Sequence, residues 1–167
     1  MLIKIAEQPF DPLRELQDYQ DRNAGMSGKY GATSIFIGTM RDFNDGDVVS
    51  GMLLEYYPGM TEKCIAEAVG EAQERWSILE CLVVHRVGEV YPNQPIVLVS
   101  VWTGHRGDAF DACRFIMETL KSTAPFWKKE IIDSNNVEGG EKGSFEPMRG
   151  ERWVTGNSNG YARNNNG

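Results

Sequence analysis

Pro125 separates two stretches whose apolar residues repeat at incompatible periods, and that break constrains the fold more than any other feature of the chain. Before it, Ala109, Cys113, Ile116 and Leu120 recur at helical spacing and predict a helix over 108–121; Phe110, Arg114, Met117 and Lys121 form a second stripe beside them. A proline disfavours helical backbone at the residue before it, here Ala124, so the helix should stop within a turn of Lys121. After the break, FWKKEII alternates as a strand does, with Phe126, Lys128 and Glu130 on one side and Trp127, Lys129 and Ile131 on the other. A lysine at a helix end and another on the strand leaving it can converge on one pocket.

Charge sharpens that expectation. Between residues 104 and 129, Arg106, Arg114, Lys121, Lys128 and Lys129 oppose Asp108, Asp111 and Glu118, a local net of +2 that leaves −9 for the rest of a chain whose total is −7. Basic residues gathered inside an acidic protein suit a small anion, because no overall positive field is available to attract one. Other readings remain open on spacing alone. Lys121 can serve the helix dipole, Lys128 and Lys129 can be solvated edge-strand charges, and His105 with Arg106 can satisfy local backbone groups.

Elsewhere the pattern is that of strands and helices with adjacent hairpins, which favours an α+β fold. LIKIA reads as a first strand, and Asp11 with Pro12 as the cap and first turn of a helix through Leu13, Leu16 and Tyr19, followed by a loop marked by Gly25, Gly28 and Gly31. ATSIFIGTM predicts a strand with Phe36 and Ile37 on opposite faces, ending at Arg41 in FNDGD, a polar loop expected to be mobile. A strand through Met52, Leu54 and Tyr56 stops at Pro58 and Gly59, and an amphipathic helix spans 60–76. CLVVHRV and IVLVSVW are two more strands around a turn at 91–95, and His85 within the first reads as a structural histidine.

At 167 residues the chain reads as a single domain over 1–155, with a polar excursion over 131–150, a short strand in GERWV, and a tail over 156–167 too poor in apolar residues to order itself. Cys64, Cys81 and Cys113 are scattered, with no CxxC, and read as small buried apolar residues. Two histidines and no HExxH argue against a protein-built metal site. No apolar stretch is long enough for a membrane span and MLIKIAEQPF lacks a signal pattern, so a cytoplasmic location is expected. The acidic balance argues against nucleic acid as a partner.

In order along the chain, FIGTMRDFNDGD, LEYYPGMTEK, VVHRVGEV, TGHRGDAFDACRFIMETLK and APFWKKE resemble the family of molybdopterin synthase catalytic (large) subunits. The resemblance covers roughly residues 32–130, and GHR followed by LKxxxPxWK is its most specific part. It implies an α/β hammerhead fold with an added antiparallel β subdomain, assembled as a homodimer within a heterotetramer. It also implies sulfur transfer from the C-terminal Gly-Gly thiocarboxylate of a small ubiquitin-like carrier to cyclic pyranopterin monophosphate, making the dithiolene of molybdopterin.

The carrier supplies the sulfur nucleophile, so the resemblance calls for no resident cofactor and no catalytic cysteine. By the same likeness Lys121 is the leading catalytic residue, crowded by Arg41, Arg106 and Lys128 so that its neutral amine becomes accessible, with Lys128 assisting in the same pocket. Arg41, His105 and Arg106 are implied as anion contacts, the latter two reaching the site of the dimer mate, and Phe36 and Met117 as apolar walls. Where some members carry an arginine after RWV this chain has Asn157, with Arg152 and Arg163 as substitutes. Two alternatives compete: a non-catalytic module gripping a ubiquitin-like Gly-Gly tail, and an unrelated phosphate-ligand enzyme, for which the chain offers no GK[ST] loop, dinucleotide fingerprint or GxSxG.

Overall fold

A computed structural model describes residues 1–44, 47–133 and 149–153. The chain runs β1 (Leu2–Ala6), α1 (Pro12–Arg22), a 3-10 turn (Ala24–Met26), β2 (Ala32–Thr39), β3 (Phe43–Asn44), β4 (Asp47–Tyr56) and α2 (Met60–Arg75). It continues β5 (Ile78–Arg86), β6 (Gly88–Val90), β7 (Pro95–Thr103), α3 (Arg106–Thr123), β8 (Phe126–Asp133) and β9 (Arg149–Trp153). The result is the α+β class expected, in two sheets.

The first sheet has the order β1-β5-β7-β2, with β1 parallel to β5 and the other pairs antiparallel. Both of its faces are covered, which is why CLVV and VLVSVW read as nearly unbroken apolar runs. On one face Cys81, Val83, Val97, Val99 and Val101 pack with Ile65, Val69 and Ala72 of α2 and with Ala112, Ile116 and Leu120 of α3. On the other, Leu82, Val84, Leu98 and Trp102 pack against Tyr19 of α1. Ile65, Val69 and Ile116 are fully buried, and each such side chain contributes about 1.5–3 kcal/mol relative to exposure.

The added antiparallel sheet is β3-β4-β8-β9, with β6 also paired to β4. Its own core is Met40, Val49, Met52, Leu54 and Val90. FNDGD is less a loop than expected: Phe43 pairs with Val48 and Asn44 with Asp47, so the described part of that segment is a hairpin joining β3 to β4. Strand pairing also narrows the excursion after β8, since Ile131 pairs with Glu151 and Asp133 with Arg149. Residues 134–148, Asn157, Arg163 and the tail over 156–167 lie outside the described residues. Cys64 is half-exposed rather than buried, whereas Cys81 and Cys113 are buried free thiols.

The helix ends follow the expected chemistry. Asp11 Oδ1 accepts from the backbone N–H groups of Leu13 and Arg14 with Pro12 in the first turn, which caps α1. Gly59, at φ 84°, turns the chain into α2, and its N–H donates to the Glu62 carboxylate at 2.7 Å. α3 ends where Pro125 requires it, with Ala124 in extended geometry (φ −71°, ψ 128°). The buried Thr61 hydroxyl donates to the Pro125 carbonyl at 3.5 Å, tying the start of α2 to the joint between α3 and β8.

Candidate active site

That joint forms one edge of a cavity of about 550 Å³ between the two sheets. Its walls come from segments far apart in sequence: Phe36 and Gly38 of β2, Arg41 just beyond it, Asn44 of β3, His85 of β5, Met117 and Lys121 of α3, and Phe126, Lys128 and Glu130 of β8. Lys121 occupies the last turn of α3, where its charge complements the helix dipole. Strand alternation aims Phe126, Lys128 and Glu130 at the same space, as the FWKKEII pattern requires. Gly38 is needed for closeness: a Cβ there would stand 2.8 Å from Val97 Cγ1 and 3.3 Å from Phe36 Cε1.

Three cations, Arg41, Lys121 and Lys128, face one carboxylate, Glu130, so the lining carries a net positive charge. Glu130 is buried and accepts from Asn44 Nδ2 at 2.8 Å. The Arg41 guanidinium lies 5.0 Å from the centre of the Phe43 ring, a cation–π contact that holds it at the rim. Burial holds the Lys128 ammonium below the ordinary lysine range; the charge of Lys121 adds to this, and Glu130 partly offsets it. His85 is pushed down to about 4 by burial, with the backbone carbonyl of Arg86 opposing and Lys128 reinforcing the shift, so its ring is neutral near pH 7.

Phe36, Arg41, Met117, Lys121 and Lys128 thus line one cavity. His105 and Arg106 do not. They are exposed at the opposite end of the 18-residue α3, roughly 22 Å from Lys121 along the axis at 1.5 Å per residue. Arg106 therefore cannot crowd Lys121 of its own chain, and the lysine whose charge is disfavoured by burial is Lys128. Asn44, His85 and Glu130 were not among the expected site residues. Glu130 had a readable signal, its alternation with Phe126 and Lys128, whereas nothing local in VVHRV marks His85 as a cavity wall. Among the described residues no group of three or more His, Cys, Asp or Glu side chains could hold a metal ion, and no helix is long and apolar enough to cross a membrane.

Fold and cavity together define a class: a mixed α+β protein with a cationic, partly apolar cleft suited to an anionic ring compound. The family model described as MoaE protein matches residues 5–123, and the chain belongs to that family. It is 53% identical over 152 residues to the molybdopterin synthase catalytic subunit of Ralstonia nicotianae, covering 91% of this chain and 76% of the relative. The Pseudomonas aeruginosa protein of the same name is 43% identical over 156 residues, 93% of this chain and 91% of that one. Among solved structures, molybdopterin synthase from Staphylococcus aureus superposes with a TM-score of 0.71 at 27% identity, covering 90% of this chain and 95% of that one.

Proposed function

We propose that this chain is the sulfur-transferring subunit of a molybdopterin synthase, acting on cyclic pyranopterin monophosphate with a thiocarboxylated, ubiquitin-like carrier as sulfur donor. The observation that carries this reading is the meeting of Arg41, Lys121 and Lys128, from three separate segments, around a cavity walled by Phe36 and Met117. A cyclic phosphodiester brings one negative charge and a thiocarboxylate another. Three cations and one carboxylate in the lining balance that pair, while the aromatic and thioether walls suit the pterin ring.

In this reading the cavity binds and aligns two anionic reactants that would otherwise repel each other. Each transfer replaces a carbon–oxygen bond of the pterin side chain with a carbon–sulfur bond, one oxygen staying on the phosphate as its ring opens and the other leaving as water. The acyl–sulfur bond of the carrier tail breaks as water takes its acyl carbon, leaving a carboxylate. One sulfur arrives per carrier, so a dithiolene needs two carriers. Lys121 and Lys128 stabilise the oxyanions that develop and move protons; burial disfavours the charged form of Lys128 and so eases the loss of its proton. His105 and Arg106 serve the site of a second copy in a homodimer, which with two carriers makes a heterotetramer. Three free cysteines among the described residues accord with a reducing compartment, and we place the reaction in the cytoplasm.

Purified protein is mixed with the thiocarboxylated carrier and the cyclic precursor, and the products are followed by mass spectrometry. Wild type should give the dithiolene-bearing pterin, and Lys121→Ala should not. Tight carrier binding without conversion of the pterin by wild type would leave a tail-gripping module instead.

A further inference from the structure

One wall of the cavity has no part in the chemistry just described. His85 is 6% exposed near the end of β5. Its Nδ1 lies 2.8 Å from the Arg86 carbonyl oxygen, which can only accept, so Nδ1 carries the proton and the ring orientation is fixed. The ring lies flat on Phe126, centroids 3.7 Å apart and planes 13° from parallel. β5 pairs with β1 and β7, whereas β8 pairs with β4 and β9, so this stack joins two sheets that share no strand at that point. Phe126 and Lys128 are two residues apart on one strand and line the same cavity.

We propose that His85 is a positioning residue for Lys128: its flat ring, carried by the first sheet, seats Phe126 and thereby sets where β8 presents Lys128 opposite Lys121. The imidazole has to do this beside charged neighbours, namely Lys128 and Glu130 of β8, Lys121 of α3 and Arg41 beyond β2. A cationic ring would repel Lys128 and be poorly solvated in its buried place. Burial and the Lys128 charge keep it neutral across the working pH range. A flat, uncharged surface is what the seat needs, so another planar ring should replace it and a branched aliphatic side chain of similar bulk should not.

The kinetic arm of the test rests on the sulfur-transfer reading; the labelling arm does not. His85→Leu and His85→Phe are compared with wild type in the full chain. Acetic anhydride labels Lys128 across a pH series, with mass spectrometry as readout, and turnover is measured in parallel. In His85→Leu the labelling profile of Lys128 should move to higher pH as water reaches the loosened amine, with kcat lower by on the order of tenfold or more and KM for the carrier little changed. His85→Phe should keep the wild-type profile and stay within about threefold of its kcat. An unchanged profile in His85→Leu overturns the proposal, as does a His85→Phe variant as impaired as His85→Leu, which would make the ring nitrogen the essential group. Should wild type transfer no sulfur at all, the proposed function fails while the labelling profiles still decide the role of His85.

Discussion

The two ends of α3 carry the same kind of chemistry and meet opposite fates. At its C-terminal end Lys121 faces Arg41, Lys128 and Glu130, brought there by β2 and β8, and the group is enclosed enough for burial to depress the ammonium of Lys128. At its N-terminal end His105 has extended backbone and makes no side-chain cap, and Arg106 is exposed. A cation in the first turn opposes the helix dipole, while one in the last turn complements it. Basic residues therefore do not make a site by being close in sequence; the strands that close over them do. One end is finished by its own chain, and the other is presented outward, where a second copy related by two-fold symmetry can use it.

The largest effect should come from erasing the closed end. Lys121→Ala should lower sulfur transfer by about a hundredfold or more while leaving circular dichroism and elution volume unchanged; wild-type turnover in that variant would put the two ends on equal terms. Next, the outward end can be tested in trans. Lys121→Ala and Arg106→Ala homodimers should both be inactive, but unfolded and refolded together they should recover about a quarter of wild-type activity, since mixed two-fold dimers hold one intact site. No recovery would mean that Arg106 serves a purpose unconnected with the cavity.

Burial at the closed end has a pH signature as well. His85 titrates at about 4 in the folded chain and near 6.5 unfolded, so the unfolded state binds more protons between those values. Its stability contribution is complete above pH 6.5 and is lost as pH falls through 4, on the order of 3 kcal/mol in urea unfolding at the two extremes. His85→Phe should flatten that part of the profile. The smallest effect concerns Lys128, whose folded-state value lies below its unfolded one and whose charge therefore costs stability at neutral pH. Lys128→Met should raise the urea midpoint slightly at pH 7, with the gain vanishing as pH climbs past the ordinary lysine range.

Much of this architecture was legible because it is local. The cap at Asp11, the stop before Pro125 and the alternation of FWKKEII each depend on neighbours a few residues away, and each stands in the structure as expected. The pairing of Phe43 with Val48 was hidden, because the polar composition of FNDGD signals a turn but not the anchoring of β4 between β6 and β8. His85 was read as structural because the stack on Phe126 joins residues 41 positions apart on different sheets. The stretch around GHR and Lys121 was read as one cluster, yet a helix converts that short sequence distance into a separation of roughly 22 Å.

The joint at Ala124 and Pro125 acts as a ruler. β8 exposes alternate residues to the cavity, so lengthening the connection by a single residue would rotate the strand's outlook and bring Trp127 and Lys129 inward in place of Phe126, Lys128 and Glu130. The indole would fill the space that the proposed function gives to the pterin, and the buried carboxylate would turn to water. Insertions at this joint, which forms one edge of the cavity, should consequently be rare.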